Sequence, residues 1–119
     1  MWGERQAERF LKRRGYKLLY RRFRAKRGGE VDLVCRHGDT LVFVEVKTRS
    51  SLEHGRPYEA VDAEKRRLLI QGADAWLRLL HNPDIFYRFD IVEVLAGARG
   101  TARCHVIDNA FSFVHERLY

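Results

Sequence analysis

At 119 residues the chain can build one sizeable hydrophobic core but not two ordinary ones, so a single domain spanning 1–119 is expected. Apolar residues make up 45% and charged residues 33%, the balance of a soluble globular protein, and no apolar run approaches the ~20 residues of a membrane span. The formal net charge of +7 points toward a polyanionic partner.

That charge is concentrated at the start. Residues 1–29 hold eleven Lys/Arg and two acids, a net +9, whereas the remaining ninety residues are slightly acidic. Nucleic acid is the usual partner of such a block. An anionic membrane fits less well, because the basic stretch runs on into a strand-like segment and lacks an amphipathic membrane helix. Cys35 and Cys104 lie in apolar segments and read as small core residues rather than a disulfide or a zinc site. With no signal-peptide pattern at the start, the cytoplasm is the expected location.

In chain order, Trp2 to Arg14 reads as a helix: Ala7, Phe10 and Leu11 keep helical spacing, Arg and Lys fill the other side, and Gly15 ends it. Glu4 and Glu8 lie one turn apart on it, and spacing alone favours Glu8 as an ordinary partner for a nearby arginine. Tyr16 to Arg24 is strand-like and rich in arginine. Ala25 to Gly29 is a basic turn in which Lys26 and Arg27 could meet phosphate.

Residues 30–47 carry the strongest signal. Two β-branched runs flank Gly38-Asp39, a hairpin pattern. Asp32, Glu45 and Lys47 interrupt those runs, although strand interiors normally avoid such residues. With Gly38-Asp39 as the loop, Asp32 faces Glu45; with His37-Gly38 it becomes a diagonal neighbour. In both registers Glu45 and Lys47 share its face. As structure alone the patch is unfavourable, since facing carboxylates repel and burying one unpaired costs on the order of several kcal/mol. A hard divalent cation, Mg²⁺ or Mn²⁺, removes that cost by taking both carboxylates as oxygen ligands. Val31, Leu33 and Cys35 are expected on one face with Val42, Val44 and Val46, and Val34 with Phe43 on the other. A sheet apolar on both faces needs cover on both, which predicts an α/β domain with helices on each side.

Thr48 to Pro57 is irregular and polar, and Arg49, Ser50, Ser51, His54 and Arg56 could contact a phosphate backbone. A second helix is expected from about Tyr58 to Leu80, with Asp62 as N-cap, Lys65-Arg66-Arg67 exposed, and Val61, Leu68, Leu69, Ala73, Trp76, Leu77 and Leu80 inward. Trp76 reads as core rather than as a stacking platform. His81-Asn82-Pro83-Asp84 ends this helix. Ile85 to Leu95 and Ala102 to Asp108 read as strands, with Asp90 as a structural partner of Arg88. The tail from Asn109 is apolar and expected to pack on the body or on a partner.

The order of these motifs is similar to that of the PD-(D/E)xK nuclease superfamily: a helix with Glu4, then Gly-Glu-Val-Asp-Leu at 29–33, then Phe-Val-Glu-Val-Lys-Thr-Arg at 43–49. More closely, the chain resembles the YraN family of predicted bacterial endonucleases, related to archaeal Holliday-junction resolvases. The match extends to Gly3-Glu4 with Ala7, Gly15-Tyr16, Lys65, Arg88-Phe89-Asp90 and Asn109-Ala110-Phe111. Val31 stands where the superfamily has a proline. The resemblance implies a restriction-endonuclease-like mixed sheet, with Asp32, Glu45 and the Val46 carbonyl around Mg²⁺ or Mn²⁺. It also implies Lys47 at the attacking water and Glu4 as the helix-borne acid.

Phosphodiester hydrolysis in branched or junction DNA is therefore expected. Arg5, Arg9, Lys12, Arg24, Lys26, Arg27, Arg49 and Lys65 are the candidate DNA contacts, and a homodimer is the simplest way to cut two strands. Its rivals are a nucleic-acid-binding protein without catalysis and an interaction module in which the charged cluster is a structural ion-pair network.

Overall fold

A computed structural model describes residues 1–50 and 63–111. The elements run α1 (Trp2–Arg13), β1 (Lys17–Arg24), β2 (Glu30–His37), β3 (Thr40–Arg49), α2 (Ala63–Leu79), β4 (Phe86–Ala96) and β5 (Ala102–Phe111). The strands form one five-stranded sheet in sequential order. β1–β2, β2–β3 and β4–β5 are antiparallel, whereas β3–β4 is parallel because α2 lies in the connection between them.

The hairpin takes the first of the two registers: His37 pairs with Thr40 and Leu33 with Val44, with Gly38 and Asp39 in the loop. Alternation along the strands then divides the core. Leu33, Cys35, Val42, Val44, Val92 and Val94 face α1 and pack with Ala7, Leu11 and Tyr16. Val34, Leu41, Phe43 and Phe89 face α2 and pack with Leu69, Ala73 and Leu77. The mixed sheet with a helix on each face agrees with the α/β architecture expected of a restriction-endonuclease-like domain. Cys35 and Cys104 are free thiols, as expected.

Val31 departs from the expected pattern. It packs with Val34 on the α2 side, not with Leu33 on the α1 side. Strict alternation fails across Asp32, where β2 leaves its ladder with β3. The α2 face claims Val31 because Gly72 lies against it: a β-carbon on Gly72 would sit 2.8 Å from Val31 Cγ2, and one on Gly29 would sit 2.5 Å from the Gly72 nitrogen. Two glycines therefore let the helix lie directly on the backbone that enters β2.

α2 is shorter than expected at its far end, and Leu80 is exposed rather than inward, because the helix stops at Leu79. His81 and Asn82 both adopt left-handed conformations that no helix continues through. β5 runs three residues beyond Asp108, so the first part of the expected tail completes the sheet. The expectations for Ser51, His54, Arg56, Val61, Asp62 and the end of the tail lie outside the described residues. Among the described residues no helix is long and apolar enough to cross a membrane.

Candidate functional site

Asp32 lies just before the run of β2 that pairs with β3, and Glu45 and Lys47 lie just beyond the partner run in β3, so the three meet toward one end of the sheet. The Val46 backbone N–H donates to Asp32 Oδ2 at 2.8 Å. A side-chain carboxylate thus serves as acceptor where a strand carbonyl would otherwise do so, and the bond fixes Asp32 against the middle residue of Glu-Val-Lys. Glu45 is only 8% exposed. The two carboxyls lie close enough for the charge of Asp32 to act on Glu45.

This arrangement perturbs both acids. Burial pushes Glu45 up to about 8, with the Asp32 charge adding to the rise and Lys65 and Lys47 opposing it. Asp32 is also raised, first by burial and then by the Glu4 charge, against the lowering effects of the Val46 N–H, Glu45 and Lys65. Two facing carboxyls withdrawn from solvent each make the other harder to ionise.

Glu4 reaches this end through α1. A β-carbon on Gly3 would lie 1.9 Å from Thr48 Oγ1, so only glycine allows the helix to start against the end of β3. Glu8, by contrast, is committed elsewhere. It takes a two-point bond from Arg21 at 2.8 Å and an ion pair from Lys12 at 2.8 Å, and Arg21 chiefly holds it down at about 2. Of the two helix acids, Glu4 is the one whose charge acts on Asp32, although it also lies 3.8 Å from Arg22 Nε, whereas Glu8 is held in a surface ion-pair network.

Lys65 comes from the first turns of α2, and its charge is felt by both Asp32 and Glu45 although its side chain is exposed. It was expected only as an exposed contact, since spacing along one helix does not show which strand end the helix begins over. Glu93 was not anticipated at all. It is Lys47's partner across β3–β4, on the same face, 4% exposed, and its Oε2 has no hydrogen-bond partner. The signal was available, because a glutamate inside Ile91-Val92-Glu93-Val94-Leu95 breaks an apolar strand as Glu45 does.

Asp90 lies on the opposite face, next to Val44. It is fully buried and accepts from the Tyr16 hydroxyl at 2.9 Å, from Arg88 Nε at 3.0 Å and from the Asn109 N–H at 2.9 Å. Arg88 also reaches His37, which stacks on Tyr16 with ring centroids 4.1 Å apart. This network is structural, as expected, and ties β4 to Tyr16 ahead of β1, to β2 and to β5, away from the carboxylate pair.

The basic candidates divide in two. Arg24 ends β1, Lys26 and Arg27 follow it, and Arg49 ends β3, so these four and Lys65 rim the end of the sheet that carries the acids. Arg5 lies in the first turn of α1 beside Glu4. Arg9 and Lys12 lie progressively further along that helix, Lys12 about 12 Å beyond Glu4 by helical rise, and the structure does not bring Lys12 to the site.

As ligands, Asp32 and Glu45 offer hard oxygen donors, and the Val46 carbonyl is next to them in the chain. Among the described residues no three His, Cys, Asp or Glu side chains converge as a metal-binding group. A pair of carboxylates completed by a carbonyl and water is an all-oxygen donor set of the kind that suits Mg²⁺ or Mn²⁺.

Residues 3–94 match the family described as uncharacterised protein family UPF0102. The chain is a member of the UPF0102, or YraN, family. A UPF0102 protein of Caldicellulosiruptor saccharolyticus is 44% identical over 110 residues, covering 92% of each chain. One of Symbiobacterium thermophilum is 46% identical over 109 residues, again covering 92% of each. One of Geobacter metallireducens is 42% identical over 113 residues, 95% of this chain and 91% of that one. UPF0102 membership therefore covers both strands of the carboxylate hairpin, Glu4, Lys65 and Glu93.

Proposed function

We propose that this UPF0102 protein is a divalent-ion-dependent endonuclease that hydrolyses phosphodiester bonds, with branched or junction DNA as its substrate. One observation carries the reading: buried Glu45 and half-buried Asp32 are held together against their own repulsion, with the charges of Lys47 and Lys65 acting on them. A purely structural patch would pair each acid with a base or replace it with an apolar residue.

Asp32, Glu45 and the Val46 carbonyl oxygen are the groups that would hold Mg²⁺ or Mn²⁺. When bound, such an ion supplies positive charge to the phosphoryl oxygens and acidifies water. The remaining work belongs to side chains. Val46 N–H keeps Asp32 in one orientation. Lys47, on the face of Glu45, directs its ammonium to the scissile phosphate or to the attacking water. Lys65, at the start of α2, draws the phosphate down onto the acids. Glu4 approaches from the α1 side and supplies an acceptor that orients water. Arg5, Arg24, Lys26, Arg27 and Arg49 hold flanking phosphates, which position the strand without reading its sequence. Each chain carries one such centre, so paired incisions take two chains related by a two-fold axis.

The test is a screen of Mg²⁺, Mn²⁺ and Ca²⁺ on single-stranded, duplex, flap and four-way DNA, comparing wild type with Lys47→Ala. Cleavage that needs Mg²⁺ or Mn²⁺ and falls at least a hundred-fold in the variant supports the reading (about 2.7 kcal/mol of lost transition-state stabilisation). Binding without cleavage under every ion would leave a nucleic-acid-binding protein.

A further inference from the structure

Beside the carboxylate site, the end of β1 and the second half of α2 enclose a recess that the cleavage chemistry does not use. Its volume is about 530 Å³, within the range of small-ligand sites. Phe23, Ala75 and Leu79 form its apolar lining, and Arg24, Lys26 and Arg78 add three cations. Behind Phe23 stand Tyr20 and Trp76, packed edge to face on it and on each other with centroids 5.3 to 5.9 Å apart. Tyr20 is 43% exposed and Leu79 66%, both high for large apolar side chains.

An apolar recess bordered by cations matches a flat uncharged ring carried between anionic groups. A hydrophobic peptide side chain would fill the recess but would bring nothing for the cations. The cations are also available: Arg24–Glu30 at 3.8 Å and Arg78–Asp74 at 3.2 Å are exposed pairs of little worth, and Lys26 has no ion pair among the described residues.

We propose that this recess receives one unpaired nucleobase of the strand bound at Asp32 and Glu45, with the adjoining phosphates on Arg24, Lys26 and Arg78. The position of that strand rests on the nuclease reading above. Phe23 pairs with Val31, the neighbour of Asp32, and β1 lies two strands from β3, about 10 Å away. Ala75 follows Lys65 by ten residues of helix, about 15 Å. At 3.4 Å per nucleotide of stacked strand, the recess is roughly three or four nucleotides from the acids. A base inside a duplex cannot enter it, so the recess makes the protein prefer DNA with an unpaired segment near the cut, as flaps and splayed junctions provide.

The test is binding of labelled oligo-dT and of a blunt duplex by fluorescence anisotropy in EDTA, so that cleavage plays no part. Leu79→Glu places a negative charge at the recess, and Ala75→Trp fills it without changing charge; a circular-dichroism melt checks that each folds. Both variants are expected to lose about ten-fold in affinity for oligo-dT, the scale of one base–aromatic stack, and less than two-fold for duplex. Equal losses on both DNAs, or no loss by folded Ala75→Trp, would overturn the proposal. Discrimination by a protein that never cleaves keeps the recess and removes the nuclease reading, and cleavage without discrimination does the reverse.

Discussion

The Val46 N–H points at Asp32 Oδ2, 2.8 Å away, and so joins the two halves of the carboxylate site through the backbone between Glu45 and Lys47. Asp32 is held by the strand it faces. Its neighbour Glu45 is buried, and burial together with the Asp32 charge pushes it up to about 8.

Glu45→Gln removes one of two facing acids and leaves the volume unchanged. The metal-free variant is expected to be more stable than wild type at pH 8.5 by about 1 kcal/mol, or several degrees in Tm for a domain of this size, while cleavage is abolished. Thermal melts in EDTA beside a nuclease assay measure both. A stability loss together with lost activity would mark Glu45 as merely structural.

The pH dependence of metal-free stability has a definite sign. Glu45 titrates at about 8 in the fold against 4.5 as a free side chain. Between those values the folded chain holds more protons than the unfolded one. Stability therefore declines as pH rises through that window, by no more than about 1.4 kcal/mol per pH unit from this one group. Glu8, held at about 2, acts in the opposite sense and only at acid pH, below about 4.5. Melts from pH 5 to 9, in wild type and Glu45→Gln, should show a decline that the variant lacks.

Gly3→Ala places a β-carbon on the Thr48 hydroxyl. It is expected to cost about 1–3 kcal/mol and to reduce cleavage by moving Glu4. Thr48→Ala removes the obstructing oxygen, so the double variant should recover part of both losses. A double-mutant cycle on stability and rate reads this coupling, and strict additivity would argue against the contact.

Asp90→Ala leaves Arg88 short of its anion and strands the Tyr16 hydroxyl and the Asn109 N–H. The loss expected for breaking such a buried charge pair is about 3–5 kcal/mol, seen in denaturant unfolding. DNA binding by the fraction still folded should be unchanged, because Asp90 faces away from the carboxylates.

Much of this arrangement was legible in the residues. Gly38-Asp39 defined the hairpin loop, and the register followed from it, so the meeting of Asp32 with Glu45 needed only the two-residue period of strands. The structural pairing of Arg88 with Asp90 was visible in their spacing. Contacts between distant elements were not. Val31 follows α2 because Gly29 and Gly72 meet, a contact between residues far apart in the chain. Lys65 was placed on the exposed side of its helix, but its nearness to two strand acids depends on where that helix begins over the sheet. Glu93 stands out locally as an acid in an apolar strand, but its pairing with Lys47 runs across a parallel crossover, where no local pattern relates the two positions.

The central claim is tested most directly by titrating Mn²⁺ into the metal-free protein in a calorimeter and comparing wild type with Asp32→Asn and Glu45→Gln. One Mn²⁺ per chain is expected, bound at least ten-fold more weakly in each variant, with proton release that grows as the buffer is taken below pH 8. No binding by the wild type, or binding that both variants retain, would contradict it.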